Sequence, residues 1–144
     1  MKSSHQRRLV CSAPGRAGII GNPTDMYGGS VLSCSMAMRA CATITSLASH
    51  EPSGSSSSPQ RGPEIVLESG GEEFRTVSRR ALRPRGDRVA IVRAVLDSMH
   101  LPPVPCRVIY ESDIPMRSGM AGSTALVVAL LQAFLAWQGQ EVNR

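Results

Sequence analysis

One loop and the apolar run behind it constrain this chain more than any other feature. Ile114-Pro115-Met116-Arg117-Ser118-Gly119-Met120-Ala121-Gly122-Ser123-Thr124-Ala125 sets two glycines in a short turn. Nearly every residue from Ala125 to Trp137 is apolar, and Gly139 supplies a stop. A bilayer span needs about 20 apolar residues. The run therefore predicts a buried core helix over residues 125–137, with no membrane association. Ser123 and Thr124 stand where a helix N-cap is wanted. A glycine loop at the mouth of such a helix makes an anion site, because free backbone N–H groups and the helix dipole both favour negative charge. The loop lacks Gly-Lys-Ser/Thr, so it is not a Walker-type loop. On these residues alone, a plain capped turn remains the alternative.

The chain has 144 residues, enough for one ordinary domain. Apolar residues make up 42% and aromatics only 3%, so the core must rest on Val, Leu, Ile, Ala and Met. A net charge of +5 suits a polyanionic partner or an enzyme that binds a phosphorylated nucleotide. Cys11, Cys34, Cys41 and Cys106 show no close pairing, which argues against a metal site or a disulfide framework and for a reduced, cytoplasmic setting. His5, His50 and His100 are scattered and read as surface residues. Lys2, Arg7 and Arg8 precede no apolar leader segment, so no secretory signal is read there.

Residues 8–13 and 17–21 read as two short strands split by Pro14-Gly15-Arg16. Gly21-Asn22-Pro23-Thr24-Asp25-Met26-Tyr27-Gly28-Gly29 is dense in turn formers, and the plain reading is a loop whose Asp25 bonds its own backbone. Residues 31–38 and 40–47 read as strands or one long bent hairpin. Residues 49–63, rich in Ser, Pro and Gly, form a flexible loop inserted within one domain. Residues 64–68 and 74–78 predict a hairpin around Gly70-Gly71. Residues 86–100 predict a helix with Val89, Val92, Val95, Leu96 and Met99 on one face, ended by Pro102, Pro103 and Pro105. Residues 106–110 are a strand that runs into the glycine loop.

Residues 79–88 hold five arginines against Asp87. That is a possible RNA footprint, but no aromatic residue interleaves to stack bases. A solvated basic rim is the better reading, and nucleic acid is disfavoured as a partner. Arg85-Gly86-Asp87 spells an adhesion tripeptide and carries little weight without a secretory signal.

Ala13-Pro14-Gly15-Arg16 through Gly28-Gly29 resembles the first motif of the GHMP small-molecule kinases, the superfamily of galactokinase, homoserine kinase and mevalonate kinase. Ile114-Pro115 through Ala125 resembles the second, the Pro-x-x-x-Gly-Leu-Gly-Ser-Ser-Ala phosphate loop. Order and separation also suit the family. Asn22-Pro23 replaces the Glu-His of galactokinase, and the version here is more similar to glucuronokinase-type sugar kinases. In the second motif Met120 replaces Leu, an extra residue precedes Gly122, and Thr124 replaces the second Ser.

The resemblance implies an α/β (α+β) fold, a mixed sheet with helices on one face, like the N-terminal lobe of those kinases. It implies ATP and magnesium as cofactors and a sugar substrate, best matched by glucuronate phosphorylated at its anomeric hydroxyl. Pro115, Ser118, Gly119, Met120, Ala121, Gly122 and Ser123 would meet the nucleotide, and Thr124 would also face the magnesium. Arg16 would support the attacking hydroxyl or the transition-state charge, as a permanent guanidinium can. Asn22, Asp25 and Tyr27 would bind the sugar. No aspartate follows Thr124, so the family's usual general base has no counterpart here. The expectation is an N-terminal portion of a kinase, inactive alone, completed by a second lobe or a protein partner. The alternatives are a non-catalytic nucleotide- or partner-binding module and, more weakly, an RNA-binding module.

Overall fold

A computed structural model describes residues 7–47, 64–76, 82–83, 86, 89–99, 105–115 and 117–140. Five strands form one mixed sheet in the order β1-β2-β5-β3-β4. They are β1 (Arg8–Ile20), β2 (Leu32–Ser46), β3 (Ile65–Ser69), β4 (Glu72–Thr76) and β5 (Cys106–Ser112). Only β3 and β5 run parallel. Two helices, α1 (Ala90–Ser98) and α2 (Gly122–Trp137), complete the fold. The sequence-predicted mixed sheet, the β3–β4 hairpin around Gly70-Gly71 and both helices are present. The Ser/Pro/Gly stretch at 49–63, the histidines and most of the arginine run at 79–88 lie outside the described residues.

α1 starts at Ala90, later than the expected 86, and two strands run through expected breaks. β1 continues through Pro14-Gly15-Arg16 as a single strand, with its register slipping between Pro14 and Arg16. Proline is tolerated because β1 is an edge strand. Ser46 N–H donates to Arg7 O, so alternate residues from Arg7 face β2, and Pro14 falls on the open side where no ladder bond is lost. β2 is likewise one strand, paired on both flanks. Residues 36–40 contain no turn former, and two partners outweigh the imperfect alternation.

The core lies between one sheet face and the helices. Ala40, Ala42, Ile44, Leu67 and Val108 are fully buried and meet Ala129, Leu130 and Ala133 of α2 in one cluster. Alanines on both sides let α2 lie close to the sheet, and the few aromatics are concentrated here, with Tyr110, Phe134 and Trp137 buried in the same cluster. α1 is fastened through Arg93, whose buried guanidinium stacks 3.9 Å from the Phe74 ring of β4. At the other end, Arg7 donates to Ala136 O at 3.1 Å and lies 4.6 Å from the Trp137 ring. A cation there also suits the negative end of α2. The opposite sheet face is mixed, with Val66 buried and Arg107 paired to Glu68 and Glu73.

All four cysteines are free thiols; Cys34 is exposed and Cys106 is buried. Burial pushes the Cys106 thiol up to about 11. The folded protein then keeps a proton that the unfolded chain loses near 9, so this stabilisation is complete below that value and disappears as pH rises to about 11. Iodoacetamide at pH 8, followed by peptide mass mapping, is expected to label Cys34 first and Cys106 only after denaturation. Equal labelling rates would contradict the burial.

Candidate functional site

The loop after β1 is tied by a residue the sequence did not single out. Thr24 opens a 3-10 turn, Thr24–Tyr27, and its hydroxyl donates to Gly21 O and, at 3.3 Å, to Ser30 O. The chain closes around it so tightly that a Cβ on Gly21 would lie 2.3 Å from Ser30 O. Gly21 also holds φ of +84°, which disfavours any side chain. The signal was present as a Thr flanked by glycines, but turn chemistry alone did not say that Thr24 was the knot. Outside this knot Asn22, Asp25 and Tyr27 are exposed, and Tyr27 is 87% exposed, so it does not pack. Gly28 N–H donates to the Asp25 carbonyl at 3.2 Å, which is the local backbone bonding expected of a turn. The Asp25 carboxylate makes no ion pair among the described residues.

The second loop follows β5. Ile114 is buried and anchors it, while residues 117–119 are exposed. Ser118 turns its hydroxyl inward, donating to Pro115 O at 2.8 Å and accepting from Met120 N–H at 3.4 Å. Arg117 and Ala121 both take left-handed backbone, at φ of 59° and 55°. Ala121 therefore occupies the conformation a glycine would hold most cheaply.

α2 begins at Gly122, three residues before the expected start at 125. Ser123 and Thr124 thus lie within its first turn, and the cap position is Ala121, which has no side-chain oxygen to offer. The N-cap expectation for the two hydroxyls is corrected: they sit past the cap and are exposed to solvent. Ala125 N–H is the first to find a helical carbonyl, that of Ala121 at 2.9 Å. The amides of Gly122, Ser123 and Thr124 keep no protein partner among the described residues. Such a helix start offers uncommitted donors and a positive dipole end.

Two contacts bring the loops together. Arg16 N–H donates to Met120 O at 3.0 Å. Arg16 Nη2 donates to Asn22 Oδ1 at 3.3 Å. Gly15 permits the first, since a Cβ there would press to 3.2 Å on both Met120 O and Ile114 Cδ1. Between β1 and α2 lies a cavity of about 490 Å³ lined by Ala13, Pro14, Arg16, Ala121, Thr124, Ala125 and Val128. Its walls are almost wholly apolar, Arg16 and Thr124 being the polar residues among those that line it. Arg16, Asn22, Met120, Ala121 and Thr124 are thereby gathered; Asp25 and Tyr27 follow β1 and make no hydrogen bond or ion pair to the second loop among the described residues. Among the described residues no cluster of His, Cys, Asp and Glu is arranged to hold a metal, and no helix is long and apolar enough to cross a membrane.

Gly15→Ala is expected to lower stability by about 1–3 kcal/mol, because overpacking must push the second loop off β1. Gly21→Ala adds left-handed strain to a closer clash and is expected to cost more. Thermal melts of the two variants check the order.

The geometry agrees with comparisons to known proteins. Residues 88–144 match the model described as GHMP kinases N terminal domain. Residues 2–46 match the galactokinase galactose-binding signature, despite Asn22-Pro23. No curated protein sequence matches. A D-glycero-D-manno-heptose 1-phosphate kinase from Bacteriodes thetaiotaomicron superposes with a TM-score of 0.71 at 23% identity, over 94% of this chain and 44% of that one. Lactococcus lactis galactokinase complexed with galactose gives 0.70 at 16% identity, over 95% of this chain and 34% of that one. Streptococcus pneumoniae phosphomevalonate kinase, in complex with phosphomevalonate and AMPPNP, gives 0.60 at 16% identity, over 94% and 38%. The chain thus spans less than half the length of these solved kinases. It has the fold of the GHMP kinase N-terminal lobe, with that family's N-terminal domain matched over residues 88–144.

Proposed function

We propose that this chain is the ATP- and sugar-binding N-terminal part of a sugar kinase, with glucuronate, phosphorylated at its anomeric hydroxyl, as the first acceptor to test. One observation carries the reading: the bond from Arg16 N–H to Met120 O, which sets the first motif's arginine and the second motif's helix start on one cavity. The uncommitted amides of Gly122, Ser123 and Thr124 are suited to phosphate oxygens. Pro115, Ser118, Gly119, Met120 and Ala121 shape that cradle, with Ser118 acting through its bonds inside the loop. Thr124, an exposed residue that lines the cavity together with Arg16, is the residue to face magnesium. Magnesium would supply neutralisation of phosphate charge, the main demand of phosphoryl transfer. Arg16 adds a permanent positive charge on the same side. Asn22, Asp25 and Tyr27, exposed beside it, offer donors, an acceptor and a flat face to a sugar. A sugar acceptor also fits the galactose-binding signature over residues 2–46.

Binding is the direct test. Isothermal titration is expected to show MgATP affinity that falls about tenfold or more in Arg16→Ala, the scale of a lost charge-assisted hydrogen bond. Gly122→Asp should abolish it, since a carboxylate would enter the cradle. Intact affinity in Gly122→Asp, with unchanged circular dichroism, would sink the phosphate-loop assignment. Glucuronate, galactose and a heptose phosphate are then compared by the same titration.

A second reading, a partner-binding module, is favoured by exposed apolar residues at the far end of the β1–β2 ribbon. Ile19, Ile20, Met26 and Leu32 are 58–77% exposed. A double change, Ile20→Ser with Leu32→Ser, is expected to abolish any self-association seen by light scattering while leaving ATP affinity unchanged. Loss of both together would argue against two separate surfaces.

A further inference from the structure

Resting on that reading, we propose that Asn22 is a positioning residue for Arg16, restraining the guanidinium, beside the cavity that Arg16 lines, with a neutral acceptor that leaves its charge uncancelled. Arg16 is fixed at two points. Its backbone N–H is bonded to Met120 O, and its Nη2 donates to Asn22 Oδ1 at 3.3 Å. Arg16 is one of the residues lining the cavity that Thr124 also lines. An unrestrained arginine would sample many rotamers and lose most of that freedom on meeting an anion.

Gly18 leaves room for this arrangement. A Cβ there would lie 3.0 Å from Asn22 Cβ and press on the side chain that folds back along β1 to reach Arg16. The chemistry of the pair also fixes how Asn22 is oriented. A guanidinium has donors only, so Asn22 must turn its carbonyl oxygen to Arg16, and its NH₂ group points elsewhere.

Neutrality is the functional point. A carboxylate at position 22 would hold the guanidinium more strongly and cancel the field it presents to a phosphate. The nearest acidic residue along the loop, Asp25, forms no ion pair with Arg16 among the described residues. Arg16 is thus oriented and still fully charged.

The test uses the 144-residue chain, nitrogen-15 NMR of the Arg16 guanidinium, and titration with inorganic pyrophosphate. Asn22→Ala is expected to speed rotation of the guanidinium and weaken pyrophosphate about three- to tenfold, the cost of one side chain left to be ordered on binding. Asn22→Asp should keep the guanidinium restrained yet weaken pyrophosphate further, with a loss that shrinks as salt rises. Asn22→Gln, which keeps a neutral acceptor, should recover part of the affinity. Unchanged guanidinium rotation in Asn22→Ala would overturn the positioning role, and so would an Asn22→Asp protein that binds as tightly as the parent. Pyrophosphate affinity unaffected by Arg16→Ala would instead overturn the function proposed for the cavity, while the rotation measurement still decides the role of Asn22.

Discussion

A single backbone hydrogen bond, from the amide of Arg16 to the carbonyl of Met120, joins two segments about a hundred residues apart and gives the candidate site its shape. It forms because β1 lies at the sheet's edge and has an outward amide to offer just past its irregularity at Pro14. That irregularity re-aims the strand, as bulges at sheet edges commonly do. The same contact covers part of an edge that would otherwise invite strand addition, and Pro14 removes a further donor from it.

The rest of the molecule serves to hold α2 at that edge. Buried alanines at positions 40, 42, 129 and 133 bring helix and sheet together, and Ile114 fills the corner beneath the second loop. Gly15 and Gly122 each meet Ile114 at the distance a Cβ would need. The helix start is consequently placed by packing and not by a capping side chain. This leaves its first amides and the hydroxyls of Ser123 and Thr124 uncommitted. A site of this kind trades local stabilisation for the ability to bind an anion.

Much of the fold was legible in residue pattern. The spacing of Val89, Val92, Val95 and Leu96 fixed one face of α1, and Gly70-Gly71 between two branched or aromatic runs fixed the β3–β4 hairpin. The limits of β1 and α2 were misjudged for one reason. Pro14 and the loop glycines are local breakers, yet an edge position and a left-handed Ala121 allow strand and helix to extend past them. Of the site, the two motifs were visible as sequence, and Arg16, Asn22 and Thr124 were picked from them. Thr24 was not, because its importance lies in hydroxyl bonds to Gly21 O and Ser30 O across its own loop. Nor was the inward turn of the Ser118 hydroxyl, which depends on how the loop closes.

By itself the sequence determined which segments are apolar, where chain reversals must fall, and that an arginine-bearing strand and a glycine loop leading into an apolar helix both exist. Those properties are local: they follow from side-chain type, period and backbone freedom within a few residues. Tertiary structure alone decided that the two motifs share a cavity, that Asn22 holds Arg16, and that the amides of Gly122, Ser123 and Thr124 stay open. The first depends on contacts between segments about a hundred residues apart, set by sheet order and close packing, and the other two on how each loop closes; no periodicity within one segment encodes any of them.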